Sequence, residues 1–378
     1  MTERERFHAT MSYGPRDRSP ICDFSFWDET LPEWHKQGLP ASVNLENSDD
    51  FFGMDTFSHL TGVHPGLSPE FEVKVIEDRG DNEVIQQEDG VWVIKRKTMS
   101  SIPQHLRHLL VDRTSWEKHY KPRLDPDNPA RYPADWDARV AEWTNPDRDY
   151  VIQLPGGSLF GWIRNWMGIE NLALLLYDDP VLFEEMVETI ADCQIGLMTR
   201  ILETGGHFDG CSLWEDMAYR SGPLISPAHF ERFLVPHYRR ITDLMHHYDV
   251  NVTWVDCDGD IGLLAPLWLE AGVNCMFPIE VGTWGADPVE YRKEYGKDML
   301  LVGGFSKRIL AGSKKNIDAE IRRLTPLVEE GGYIGFCDHR VPPDVPLDNY
   351  WHYLEQVRDI WGYNTNLKPM GKLDPTSS

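Results

Sequence analysis

Along the second half of the chain, apolar residues recur in short runs, each followed by a longer stretch of helical period. Buried strands alternating with amphipathic helices produce this pattern. Residues 150–154 (YVIQL) are the first predicted strand, followed by helical stretches over 160–177 and 180–203 that Asp178-Asp179-Pro180 separates. Residues 207–214 are the next strand, leading to a helix near 227–248 with Ser226 as N-cap and Pro227 in its first turn. Strands at 251–256, 274–279, 298–304 and 333–337 precede helices over 260–271, 287–295, 316–330 and 346–361, two of them stopped by Gly272 and Gly331-Gly332. Six units of one kind, none turning back on itself, predict a parallel sheet closed by eight strands, an α/β protein of the (β/α)8 TIM-barrel type.

The first 149 residues are irregular and must supply the two missing strands. Residues 71–78 and 90–97 alternate apolar and polar side chains around a turn-rich RGDN, which predicts a β-hairpin excursion outside the barrel. The Pro- and Asp-rich segment 122–149 predicts a surface loop with one short helix. Residues 1–361 are expected to form a single domain, and 362–378 a frayed tail.

Composition narrows the function. At 41% hydrophobic residues the chain can bury a large core, yet no apolar run approaches the ~20 residues that cross a bilayer. The opening residues MTERERFHATMSYGPRDRSP are charged and lack the pattern of a secretory signal, so export is not expected. Six cysteines without a CxxC pair fit a reducing, cytoplasmic setting. With 37 Lys and Arg against 61 Asp and Glu, the net charge of −24 repels nucleic acid and anionic membranes, and simple solvation accounts for it.

In a parallel barrel, chemistry gathers where strands end. In WVDCDGD (254–260), Asp256 and Asp258 share one face and point to the barrel mouth, while Cys257 points to the surrounding helices. Two carboxylates so close share a proton, bind a cation or bind a cationic ligand group. A turn capping the next helix is the plainer alternative for Asp258 and the preferred one for Asp260. GFCDHRVPPDVP (335–346) offers His339 as a proton carrier or ligand, Asp338 as a substrate contact, and Arg340 as a carboxylate clamp or a surface ion pair. In LWEDM (213–217), Trp214 and Asp216 share a face and Glu215 takes the other, so one acid, Glu215 or Asp216, is expected in the catalytic site with Trp214 against the ligand. Glu280, ending FPIE, is a comparable substrate contact.

The runs VDCDGDIGLLAPLWLEAGVNCMFPIE, LLVGGFSKRIL and GGYIGFCDHRVPPDVPLDNYWHYLE resemble the uroporphyrinogen decarboxylase superfamily, which also holds corrinoid-dependent methyltransferases. The resemblance implies a (β/α)8 barrel and an enzyme of methyl transfer or decarboxylation. Zinc-dependent members carry His-x-Cys-Gly and a late Cys. Set on this chain, those ligand positions fall on Asp256, Asp258 and His339, a harder donor set suited to zinc with a water or to another divalent metal. The arginine motif with which the decarboxylases grip substrate carboxylates is absent. The resemblance therefore implies a methyltransferase component that acts on a small-molecule substrate with methylcobalamin or another corrinoid on a separate corrinoid protein. A small-acid or porphyrinogen-type decarboxylase and a non-catalytic ligand-binding barrel are the alternatives, and a homodimer is one option for assembly.

Overall fold

The computed structural model describes residues 1–56, 58–97 and 103–374. Its strands run in chain order β1 (His59–Leu60), β2 (Lys74–Arg79), β3 (Asn82–Gln86), β4 (Trp92–Arg96), β5 (Gln104–Arg107), β6 (Ile152–Gly157) and β7 (Gly210–Trp214). They continue with β8 (Ala218–Tyr219), β9 (Gly222–Pro223), β10 (Thr253–Asp256), β11 (Cys275–Ile279), β12 (Leu300–Gly303) and β13 (Tyr333–Ile334). Seven of them form one curled parallel sheet in the order β1-β6-β7-β10-β11-β12-β13. All six strands expected after residue 149 are present in it, β13 shorter than expected.

The N-terminal region supplies one strand of this sheet instead of the expected two. Residues 21–27 run between its edges without forming a ladder. Asp55 N donates to Ile21 O (2.7 Å) near β1, and beyond β13 Trp27 N donates to Val341 O (3.2 Å) and Val341 N to Ser25 O (3.0 Å). Two local features interrupt pairing: Ser25 leaves the extended region at φ +139°, and Asp23 turns its carboxylate onto Phe24 N (2.8 Å).

The predicted hairpin is corrected to an antiparallel meander, β2-β3-β4-β5. The chain reverses immediately at Gly80-Asp81, so Asn82–Gln86, unassigned from sequence, pairs with β2 and separates it from β4. Residues 98–102 lie outside the described residues.

Period-two alternation builds two cores. One face of the sheet contributes Val151, Val252, Trp254, Cys275, Phe277, Val302 and Ile334 to an inner core, which Phe7 and Met11 of the helix Glu3–Met11 complete. The other contributes Leu154, Leu213, Val255, Met276 and Leu301 to a larger core beneath the helices. The helix expected over 227–248 divides into Pro227–Phe233 and Val235–His247, and Ser226 Oγ accepts from His229 N as the cap. Segment 122–149 holds one α-helix, Trp136–Trp143. Residues 362–374 lack helix and strand, but Gly371 N donates to Phe51 O (2.7 Å) and Asp374 N to Gly38 O (2.8 Å). Residues 375–378 of the expected frayed tail lie outside the described residues. All six cysteines are free and buried, and among the described residues no helix is long and apolar enough to cross a membrane.

Candidate active site

β10 carries the first site residue because its alternation runs Trp254 inward, Val255 outward, Asp256 inward. Cys257 then joins the outer core, where its Sγ accepts from Met217 N (3.3 Å). The chain turns at Gly259, whose φ is +91°, and a Cβ there would lie 2.6 Å from Ala218 O. This close approach presses the β10 turn against the β7–β8 connection and seats Asp258 beside Asp216, whose Oδ1 accepts from Asp258 N (3.2 Å). Gly259→Ala is therefore expected to destabilise the fold by about 1–3 kcal/mol in urea titrations, from overlap together with the unfavourable φ.

Asp216, Asp256 and Asp258 each offer an oxygen within 4.8 Å of the others. Three carboxylates this close cannot all ionise cheaply. Burial, then Asp216 and Asp258, hold the Asp256 carboxyl well above the usual carboxylate range, with Arg340 opposing. Burial, then Asp258, lift Asp216 to about 6, against Arg164, whose Nη2 lies 3.9 Å from Asp216 Oδ2. For Asp216 the folded value exceeds the unfolded one, so its contribution to stability is full below about pH 4 and is lost as pH rises through about 6. Asp216→Asn removes that loss. Its melting temperature relative to wild type is expected to climb between pH 4 and pH 7, and a constant difference would show that Asp216 does not titrate there.

His339 joins from the last strand end. Its Nε2 is 3.4 Å from Asp258 Oδ2, its ring stacks on Trp27 (5.4 Å, 25°) and meets Phe24 edge-on (5.6 Å). Asp256 and Asp258 of the expected metal set thus lie together, and His339 stands beside Asp258 at the edge of the group. The inward turn of Asp216, at φ +41°, brings a third carboxylate to the pair, and His339 reaches only its edge through Asp258. Arg340 lies over the Phe24 and Trp27 rings, each 5.7 Å away.

Two expected site residues serve the scaffold instead. Glu215 is fully buried and accepts from Leu159 N (2.8 Å), Phe160 N (2.8 Å), Gly161 N (3.0 Å), Ser158 Oγ (3.0 Å) and Tyr238 OH (2.7 Å). It holds the start of the helix Gly161–Met167, and its strand parity directs it away from the mouth. Asp338 is equally buried, accepting from Val281 N (3.1 Å), Gly282 N (3.0 Å) and Lys307 N (3.0 Å) at the starts of two short helices. Glu280 does reach the cavity. It accepts from Trp284 Nε1 and Gly259 N (3.1 Å) and pairs with Lys307 Nζ (3.1 Å). Trp214 faces a smaller neighbouring cavity.

The main cleft, about 770 Å3, lies at the carboxyl ends of the parallel strands, lined among others by Asp216, Asp258, Glu280, His339 and Trp27. Sequence reasoning missed its cations, Arg164, Lys307 and Arg308. Lys307 and Arg308 follow the GGFS strand end, a position that was readable; Arg164 lies within a helix and carried no signal. For a metal, the chemistry of the donor set decides the fit. Asp216, Asp256 and Asp258 suit a hard divalent cation, which would act as a Lewis acid, while Cys257 and Cys337 are buried in the outer core and leave no thiolate for a zinc site tuned by sulfur.

Fold and cleft together define an α/β protein with its candidate site at the mouth of a curled parallel sheet, as in barrel enzymes. A family profile described as Uroporphyrinogen decarboxylase (URO-D) matches residues 163–360, just over half of the 378. The chain belongs to the uroporphyrinogen decarboxylase family. It is 30% identical over 141 residues to the chloroplastic uroporphyrinogen decarboxylase of Zea mays (36% of this chain, 34% of that one). Over 184 residues it is 25% identical to the uroporphyrinogen decarboxylase of Syntrophotalea carbinolica (47% and 49%). The matches span a third to a half of these curated relatives' lengths. A methyltransferase from Methanosarcina mazei shares the fold, with a TM-score of 0.56 at 17% identity, over 95% of this chain and 98% of that one.

Proposed function

We propose that this chain activates a small methylated substrate for methyl transfer to a corrinoid carried by a partner protein. The observation that carries this reading is the trio Asp216, Asp256 and Asp258, of which Asp216 and Asp256 are held toward their protonated forms. A carboxyl held toward its protonated form is suited to give its proton to the oxygen or nitrogen that loses a methyl group. Asp258 and His339, 3.4 Å apart, are placed to restore that proton from solvent. The corrinoid, when supplied, takes the methyl group; the residues of this chain bind the donor, orient it and supply the proton. Residues 21–27 act in this reading as the eighth stave of a complete (β/α)8 barrel, with the meander as an excursion from it. The carboxylate floor also disfavours a polycarboxylate porphyrinogen, since like charges repel strongly in a partly buried cleft.

Decarboxylation of a small acid is the second reading, favoured by Arg308, which lines the cleft with no partner among the described residues. The test is to supply reduced cobalamin with O-, N- and S-methylated donors in turn. A change in the corrinoid spectrum with one class, absent without the chain, is expected. Carbon dioxide release from small acids with no corrinoid change would overturn the proposal, as would ligand-induced thermal stabilisation without turnover.

A further inference from the structure

Beside the main cleft, and meeting it at Asn165, lies a second cavity of about 360 Å3. Its walls hold three indoles, Trp162, Trp166 and Trp214, and three carboxylates, Glu70, Glu88 and Asp89. Trp162 and Trp166 sit one helical turn apart on Gly161–Met167, their rings 6.0 Å apart and tilted 23°. Trp214 enters from the inward face of β7. No Lys or Arg is among the described lining residues; His64, 3.6 Å from Glu70, is the one basic side chain there. Arg164 lies 5.4 Å over the Trp214 ring, outside that lining, and is paired with Asp216. Trp166 is only 3% exposed, but its indole nitrogen is not among the buried atoms left without a partner, so its N–H is open toward the cavity rather than sealed in the core.

These features call for one kind of ligand. An anion meets three carboxylates. A neutral planar ring uses the indoles and leaves the carboxylates without a counter-charge, and a bare metal ion has no use for the indoles. A cation sheathed in methyl groups satisfies both, because its diffuse charge sits against aromatic faces while nearby acids supply the long-range attraction. An oxygen on the same molecule would accept from an indole N–H. We infer that this cavity is a binding site for a methylated ammonium compound bearing an oxygen, with Trp162, Trp166 and Trp214 against its methyl shell. Taking that compound as the methyl donor rests on the function proposed above; its binding does not, and a chain that binds it without transferring methyl separates the two.

Calorimetric titration of the full chain with choline and with 3,3-dimethylbutan-1-ol, the same shape and hydroxyl without the charge, tests the inference. Choline is expected to bind about ten-fold more tightly or better. Trp162→Ala should weaken choline by about ten-fold, with Trp162→Phe in between. Equal affinity for the two compounds, or no choline heat up to millimolar excess, would overturn it. Trp162 is half-buried, so if the alanine variant fails to fold, the comparison on the wild-type chain and on Glu88→Gln, at an exposed position, still decides.

Discussion

Asp256→Asn is expected to lower kcat/KM for methyl transfer by about 10²- to 10⁴-fold, the usual contribution of a positioned general acid. Asparagine keeps the shape and removes both the proton and the negative charge. Asp256 lies on the inward face of β10, where burial, then Asp216 and Asp258, raise its pKa. The group is thus stable while protonated, and its stabilising contribution falls away as pH rises toward the elevated value. The substitution removes that loss, so the variant should melt no lower than wild type at pH 8 and match it near pH 4. A purely structural aspartate would behave otherwise: activity within about three-fold of wild type, or a lowered melting temperature at pH 8, would end its assignment as the proton donor.

Glu215→Ala should cost about 3–5 kcal/mol of folding free energy in urea titrations, the scale for removing one partner of a buried charged network. Both carboxylate oxygens act only as acceptors, toward three backbone amides, a serine and a tyrosine. Truncation leaves five donors facing a dry cavity, each without water to replace the lost acceptor. Burial lifts the carboxyl pKa while the donors pull it down. Glu215→Gln is expected to lose less, since its oxygen still accepts while its amide nitrogen opposes N–H groups. A change below about 0.5 kcal/mol for the alanine variant would mean that the helix Gly161–Met167 is held by packing alone.

Much of the sheet was legible because each late strand is a short apolar run ended by a glycine or an acid, a pattern that depends only on local burial. β10 illustrates it: period two alone places Asp256 inward and Cys257 outward. The meander was misread because β3 is short and half-buried, and its pairing depends on a turn tight enough to reverse the chain at once. Glu215 and Asp338 looked chemical because an acid at a strand end is equally a helix anchor, and only parity and the following backbone distinguish the two uses. Asp216 joining Asp256 and Asp258 depends on a left-handed backbone at one residue and on a turn from a different strand. No single stretch of sequence contains that meeting.

The contact of residues 21–35 with the last strand's loop bears on the order in which the molecule is made. Thr30 Oγ1 donates to Val341 O (2.8 Å) and Trp34 Nε1 to Val345 O (2.7 Å), each pair 311 residues apart. A ribosome therefore releases Trp27 and Phe24 long before His339, and the wall that stacks on the histidine waits through that stretch of synthesis for its partner. The loop closed by that meeting spans 311 residues, so its closure carries a large entropic cost that local contacts do not. Until then Phe24 and Trp27 lack the partners that cover them in the folded chain, and apolar surface left uncovered in this way is prone to association.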